Sequence, residues 1–234
     1  MSGDLHVFDD AEALAVGAAR WLRDKAQAAT GRFAICCSGG ATPQRLYRLL
    51  AQQDMPWDRV HWFWGDERFV PHDHPDSNYG MTRKALFDHA RVPPRNIHPV
   101  PFDGLTPEQS ARAYERTLRD YYGAPELDPA RPLFGVMLLG IGDDGHTASL
   151  FPGQPALDER RRWAVAVAGA RSEDRVTLTY PALDSALDAV FLAAGGEKRA
   201  AVARARAGDR ALPAARVTPA GALHWFIDRL AVAA

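Results

Sequence analysis

His146 is the residue in this chain best suited to proton transfer. It follows Gly140-Ile-Gly-Asp-Asp-Gly145, which sets Asp143 and Asp144 just ahead of it on a glycine-rich strand-to-helix loop. A carboxylate at that spacing can orient an imidazole and keep it titrating near neutral pH, as a general base requires. Ser38-Gly39-Gly40-Ala41-Thr42-Pro43 offers different chemistry. Its two glycines let the backbone approach an anion closely, and the helix start that follows supplies free N–H groups. Ser38 and Thr42 add hydroxyls, although a tight turn with a helix cap would also account for Gly, Thr and Pro. Asp66-Glu67-Arg68 forms a third polar cluster, able to present a cation to an oxyanion or phosphate, or to be a surface ion pair.

Several tempting motifs fail on their own terms. Gly140 to Gly145 spells G-x-G-x-x-G after a strand, but Asp143 and Asp144 would repel a pyrophosphate, and no ribose-binding acid follows the next strand. The phosphate-loop lysine is missing after Gly40, and no G-x-S-x-G elbow occurs. His72-Asp73-His74 lacks a further ligand cluster, so a solvated loop is expected and no metal site. Cys36 and Cys37 are adjacent in an apolar run, where a disulfide would be strained and the thiols inert.

The elements that must position these clusters follow from periodicity. Phe33–Cys37, Val60–Trp64 and Leu133–Leu139 are short apolar runs, as strands buried on both faces should be, with Trp62 and Trp64 in the core. Trp163–Ala168, Val176–Tyr180 and Ala189–Ala194 are further strands. Helices are expected at Ala11–Ala29, from Thr42 (cap) and Pro43 to about Ala51, at Thr106–Tyr122, at about Glu197–Ala207 and at the C-terminus. The alternation predicts one α/β domain over residues 1–234, a Rossmann-like fold with a largely parallel sheet flanked by helices. Ligands of such sheets bind beyond the carboxyl ends of the strands, where all three polar clusters fall.

Composition narrows the function classes. The 234 residues carry 28 basic and 29 acidic side chains, a formal charge of −1, which argues against nucleic-acid and membrane-surface partners. The N-terminus shows no secretory signal, no stretch approaches the ~18 apolar residues of a membrane span, and the cysteines suit a reducing compartment. A cytoplasmic location is expected. Only three of the 28 basic residues are lysines, Lys25, Lys84 and Lys198, so each one merits inspection.

Taken together, Ser38-Gly-Gly-Ala-Thr-Pro43, Gly65-Asp-Glu-Arg68 with Ser77-Asn78, and Gly140-Ile-Gly-Asp-Asp-Gly-His-Thr-Ala-Ser-Leu-Phe-Pro152 resemble the signatures of the 6-phosphogluconolactonase family. Arg175-Val-Thr-Leu-Thr179 and Gly195-Gly-Glu-Lys198 resemble later blocks of that family, so the likeness spans nearly the whole chain. It implies hydrolysis of 6-phospho-D-glucono-1,5-lactone in the oxidative pentose phosphate pathway, without metal or organic cofactor. By the same resemblance His146 is the base that activates water and Asp144 orients it. Ser38, Gly39, Gly40 and Thr42 cradle the substrate phosphate, with Arg175 and Lys198 neutralising it. Asp66, Glu67, Arg68, Gly142 and Gly145 belong to the substrate pocket.

The chain departs from that pattern before Arg175, where Val167-Ala-Gly-Ala-Arg-Ser-Glu-Asp174 lacks the family's frequent Lys-Pro-Pro. Arg171 stands one position out of register with the missing lysine, and its guanidinium differs in shape and hydration. Two alternatives remain open: an amino-sugar-phosphate isomerase or deaminase on the same fold, and a sugar-phosphate sensor without turnover. The expected partner is a small sugar-phosphate lactone, with the chain a monomer or weak homo-oligomer.

Overall fold

The computed structural model describes residues 3–169 and 172–232. In chain order its elements are β1 (Asp4–Phe8), α1 (Ala11–Ala28), β2 (Phe33–Cys37), α2 (Ala41–Leu50), β3 (Val60–Trp64), β4 (Asp66–Arg68), α3 (Asn78–Thr82) and α4 (Pro107–Tyr122). They continue with β5 (Phe134–Leu139), β6 (Ala164–Val167), β7 (Arg175–Leu178), α5 (Tyr180–Leu183), β8 (Ala186–Ala193), α6 (Arg199–Arg206) and β9 (Ala222–Asp228). Among the described residues no helix is long and apolar enough to cross a membrane.

Six strands make one sheet in the order β1-β9-β8-β5-β2-β3, and every pairing in it is parallel. This is the Rossmann-like α/β architecture expected. Strands β2 and β5 are buried at every residue, which explains why they read as unbroken apolar runs. The chain leaves β2 toward β3 on one side and β5 toward β8 on the other. Between them the strand order reverses, opening a crevice at the carboxyl edge. Helix α1 packs against α2 and β9, while α4 covers β6 and β7.

Several sequence expectations are corrected. Strands β6 and β7 do not join the parallel sheet; they form a second, antiparallel sheet with β4, in the order β4-β7-β6. Asp66-Glu67-Arg68 is therefore an edge strand of that sheet, paired with Thr177, Val176 and Arg175. The expected C-terminal helix is strand β9, whose Trp225-Phe226-Ile227 run is aromatic and β-branched and lies between β1 and β8. The N-terminal strand β1 has no sequence counterpart because its residues are half exposed at the sheet edge. Helix α2 begins one residue before Thr42, with Gly40 in the cap position at φ 105°. No helix follows Thr147: the chain runs through turns and one 3₁₀ turn, Pro155–Asp158, before reaching β6.

Tight packing appears inside β5. A Cβ on Gly135 would come within 2.6 Å of Phe33 Cδ2 on neighbouring β2. Gly135→Ala is expected to lower unfolding stability by about 1–3 kcal/mol, the usual effect of overpacking a filled core. Urea denaturation measures this directly, and an unchanged midpoint would show that Phe33 can rotate away.

Candidate active site

A cleft of about 410 Å³ opens at the carboxyl edge of the parallel sheet. The loops after β2, β5 and β8 reach it, as does β4 just beyond β3, because those strands run in one direction. Ser38, Gly39, Gly40 and Thr42 line it together with Asp66, Arg68, Gly142, His146, Arg175 and Lys198. These residues, spread over most of the chain, meet in one depression. Glu67, Asp144 and Gly145 are not on its wall, and each has a different placement.

Asp144 stands behind His146. Its Oδ1 lies 2.6 Å from His146 Nδ1 and also accepts the His146 backbone N–H at 3.0 Å. The carboxylate thus holds the imidazole by two adjacent donors and puts the Nδ1 edge to use. The Nε2 edge remains for the cleft. Phe151 packs on the ring at 4.6 Å between centroids. Gly142 makes this arrangement possible: a Cβ there would overlap His146 Nδ1 and sit 2.7 Å from Asp144 Oδ1. Gly145 adopts φ 79°, where glycine is favoured, and Leu212 packs where its side chain would be.

The Ser38–Thr42 loop is pinned from below by Tyr47. The buried Tyr47 hydroxyl donates to Ser38 O and accepts from Ser38 N–H, both at 2.9 Å. Gly40, in the cap position, contributes no side-chain hydrogen bond to the start of α2. Pro43 has no N–H and the Gln44 N–H closes on Gly40 O, so the Ala41 and Thr42 N–H groups supply the donor capacity that is the ordinary basis of an anion site at a helix N-terminus. Gly39 is required by a neighbour, since a Cβ there would fall 2.7 Å from Asn78 Cγ.

Glu67 organises the cleft from outside it. Only 3 % exposed, it accepts the backbone N–H groups of Arg68, Asn78 and Tyr79 and the hydroxyl of Ser77 at 2.6–3.1 Å. Burial pushes its carboxyl up to about 7, against the downward pull of those N–H donors. Arg68 is steered by this anchor and donates to Asp76 O at 2.7 Å. Asp66 Oδ2 takes the Ser149 hydroxyl at 2.6 Å and faces Arg175 Nη1 at 3.8 Å. Lys198 lines the cleft from the 3₁₀ turn Gly196–Lys198 that follows β8.

Sequence reasoning did not single out Tyr47, Ser149, Ala148 or Glu197 for the site. Glu197 and Ala148 line the cleft, the latter at φ 48°. Asn78, quoted with Ser77 in the family resemblance but given no role there, also lines it and donates to Asp66 O at 2.9 Å. Burial pushes the Cys37 thiol up to about 12 and Cys36 well above its ordinary range, so both are inert. His72 bonds Val100 O at 2.8 Å, and His74 accepts Asp76 N–H at 3.2 Å. Arg171 lies outside the described residues.

The chain matches a family described as glucosamine-6-phosphate isomerases/6-phosphogluconolactonase over residues 9–225. It is 45 % identical over 205 residues to a 6-phosphogluconolactonase of a Nostoc species, covering 86 % of this chain and 84 % of that one. A 6-phosphogluconolactonase of Mycobacterium tuberculosis is 37 % identical over 246 residues, covering all of this chain and 98 % of the other. Among solved structures, that of 6-phosphogluconolactonase from Thermotoga maritima superposes with a TM-score of 0.84 at 29 % identity, covering 97 % of this chain and 99 % of that one. A monomeric glucosamine-6-phosphate deaminase shares the fold, with a TM-score of 0.80 at 21 % identity over 97 % of this chain and 98 % of that one.

The space left by Gly142 can be tested apart from any reaction. Gly142→Ala should abolish the low-field Nδ1 proton resonance expected of a short His146–Asp144 bond, at a cost in stability of about 1–3 kcal/mol. Proton NMR of the wild-type and variant chains checks it. Survival of the resonance would mean that the loop accommodates a methyl group without moving the imidazole.

Proposed function

Because the chain belongs to the glucosamine-6-phosphate isomerase/6-phosphogluconolactonase family, we propose that it is a hydrolase that opens 6-phospho-D-glucono-1,5-lactone to 6-phosphogluconate, with His146 as general base. The observation that carries this is the 2.6 Å bond between His146 Nδ1 and Asp144, in the same cleft as the uncapped start of α2. The relatives named 6-phosphogluconolactonase support the substrate class. The cleft volume of about 410 Å³ is within the usual range for small-ligand sites.

Asp144 keeps a proton on Nδ1, so Nε2 carries the lone pair. That nitrogen removes a proton from water as the water oxygen bonds to the lactone carbonyl carbon. The carbonyl electron pair moves to oxygen, and Arg68 on the cleft wall faces the developing charge. Asp144 meanwhile stabilises the imidazolium. When the tetrahedral species collapses, the bond from the carbonyl carbon to the ring oxygen breaks. The imidazolium returns its proton to that oxygen, giving a hydroxyl and a carboxylic acid that ionises. Ser38, Gly39, Gly40 and Thr42 hold the phosphate through backbone N–H and hydroxyl donors, with Arg175 and Lys198 supplying charge. Asp66 holds Arg175, and Glu67 holds the backbone of Arg68 and Asn78. The proposed step belongs to the oxidative pentose phosphate pathway, with the cytoplasm as its expected location.

Purified protein should accelerate lactone opening above its spontaneous rate and release no ammonia from glucosamine 6-phosphate. The reverse pattern would assign the deaminase chemistry instead. Binding of 6-phosphogluconate without any rate above spontaneous opening would make the chain a sensor. His146→Ala should lower kcat by roughly 10²–10⁴-fold while product binding persists, the usual weight of a general base. Near-normal turnover would remove His146 from that role.

Lys198→Ala should raise KM and leave kcat nearly unchanged, because a phosphate contact acts equally in the ground and transition states. Steady-state kinetics separate the two constants. An unchanged KM would put the lysine outside the bound complex.

A further inference from the structure

We infer that Ser149, through its hydroxyl bond to Asp66, is a positioning residue that fixes the turn carrying His146 against the second sheet. Ser149 is fully buried and is not itself on the cleft wall, although Asp66 and Ala148, which it bonds and follows, are. Its hydroxyl donates to Asp66 Oδ2 at 2.6 Å, and its backbone N–H donates to Thr177 Oγ1 at 3.1 Å. Asp66 is on β4 and Thr177 on β7, so both bonds cross from the histidine loop to the antiparallel sheet.

What these bonds restrain is visible one residue earlier. Ala148 has φ 48°, the one left-handed non-glycine residue among those described. Alanine has no side-chain hydrogen bond to hold it in that conformation, so the constraint must come from its neighbours. On one side the Thr147 hydroxyl donates to Gly140 O at 2.9 Å, and Leu150 N–H closes the turn on Thr147 O at 2.9 Å. On the other side stands Ser149. His146 itself is held by the Gly142 N–H on its carbonyl at 2.9 Å and by Asp144. Without the Ser149 hydroxyl, Ala148 can relax out of the left-handed region, rotating the adjoining peptides and with them the imidazole.

Asp66 gives the clamp a second consequence. The carboxylate that receives Ser149 also faces Arg175 at 3.8 Å. One side chain therefore relates the histidine loop to a cation assigned to the phosphate. The kinetic part of this inference rests on the proposed lactone hydrolysis; its structural part does not.

The test uses Ser149→Ala in the full chain, with two readouts. Displacement of a catalytic group by about 1 Å can cost 10²-fold, so kcat should fall between roughly tenfold and a hundredfold with KM little changed. The NMR titration of the His146 ring should shift from its wild-type course. Ala148→Gly added to Ser149→Ala should recover part of both, because glycine enters the left-handed region without restraint. A void or an unpaired Asp66 oxygen would not be relieved by that glycine. Failure of the wild-type chain to open the lactone would overturn the proposed function, while the ring titration would still decide the role of Ser149. Wild-type kcat and titration in Ser149→Ala would overturn the positioning role, as would the absence of any rescue by Ala148→Gly. Should Ser149→Ala fail to fold, Thr177→Val removes the acceptor of the Ser149 N–H and must displace the same titration; an unmoved curve there would equally sink the inference.

Discussion

Gly65, between β3 and β4, bonds to both sheets at once. Its N–H donates to Cys37 O at the end of β2, 3.0 Å away, and its carbonyl accepts Leu178 N–H from β7 at 2.8 Å. Through this one residue the parallel sheet, with the Ser38–Thr42 loop at the end of β2, is joined to the antiparallel sheet, which carries Asp66, Arg68 and Arg175. The cleft lies at that junction. Its Ser38–Thr42 loop is set by the parallel pairing of β2 with β3 and β5, and the guanidinium groups of Arg68 and Arg175 by the pairing of β4 with β7. The relative placement of the Ser38–Thr42 loop and these guanidinium groups is thus a matter of backbone hydrogen bonding. That is a stiffer constraint than any surface ion pair supplies.

The histidine loop is the least regular part of this frame and needs the most anchoring. It leaves β5 at Gly140 and reaches no helix, so no ladder of backbone bonds holds it. Side chains do that work in its place: Thr147 on Gly140 O, Ser149 on Asp66, Asp144 on His146. Two of its glycines have separate physical reasons. Gly142 yields space to the imidazole, while Gly145 turns left-handed and receives Leu212. A G-x-G-x-x-G string that looks like a nucleotide loop is here a cradle for a His–Asp pair.

The parallel core was legible because burial on both faces leaves a composition signature. Phe33–Cys37 and Phe134–Leu139 contain no polar side chain, and no other environment explains that. The site loops were legible where a residue type is demanded by local backbone, as at Gly40. The second sheet was not. Strands β6 and β7 have four residues each, and their sheet membership depends on pairing with β4, over a hundred residues away from β7 along the chain. Three residues, Asp66–Arg68, are too short to show periodicity, so β4 read only as a polar cluster at the end of β3. Tyr47 and Ser149 were missed for a related reason. A buried tyrosine or serine looks like core or loop until its hydrogen-bond partner is known. Asp144 and Glu67 showed their chemistry in sequence but not their distance from the cleft wall.

Charge at the cleft is balanced more closely than three cations suggest. Among the described residues, Arg68, Arg175 and Lys198 share it with Asp66 and Glu197, leaving a side-chain excess of one positive charge. The start of α2 adds a partial positive charge of roughly half a unit. A phosphate monoester carries about −1.5 to −2 at neutral pH, so the lactone slightly exceeds that excess. Hydrolysis then adds a full carboxylate charge to the bound molecule, with Asp66 and Glu197 on the same wall and Asp144 behind the imidazole. On the proposed reading, in which both present the same phosphate to the Ser38–Thr42 loop, the product would be held less favourably than the substrate. A site with the cations alone would bind the more highly charged product better and be slowed by its release. On that reading Asp66 and Glu197 would oppose tight binding of the phosphate and favour departure of the more highly charged product.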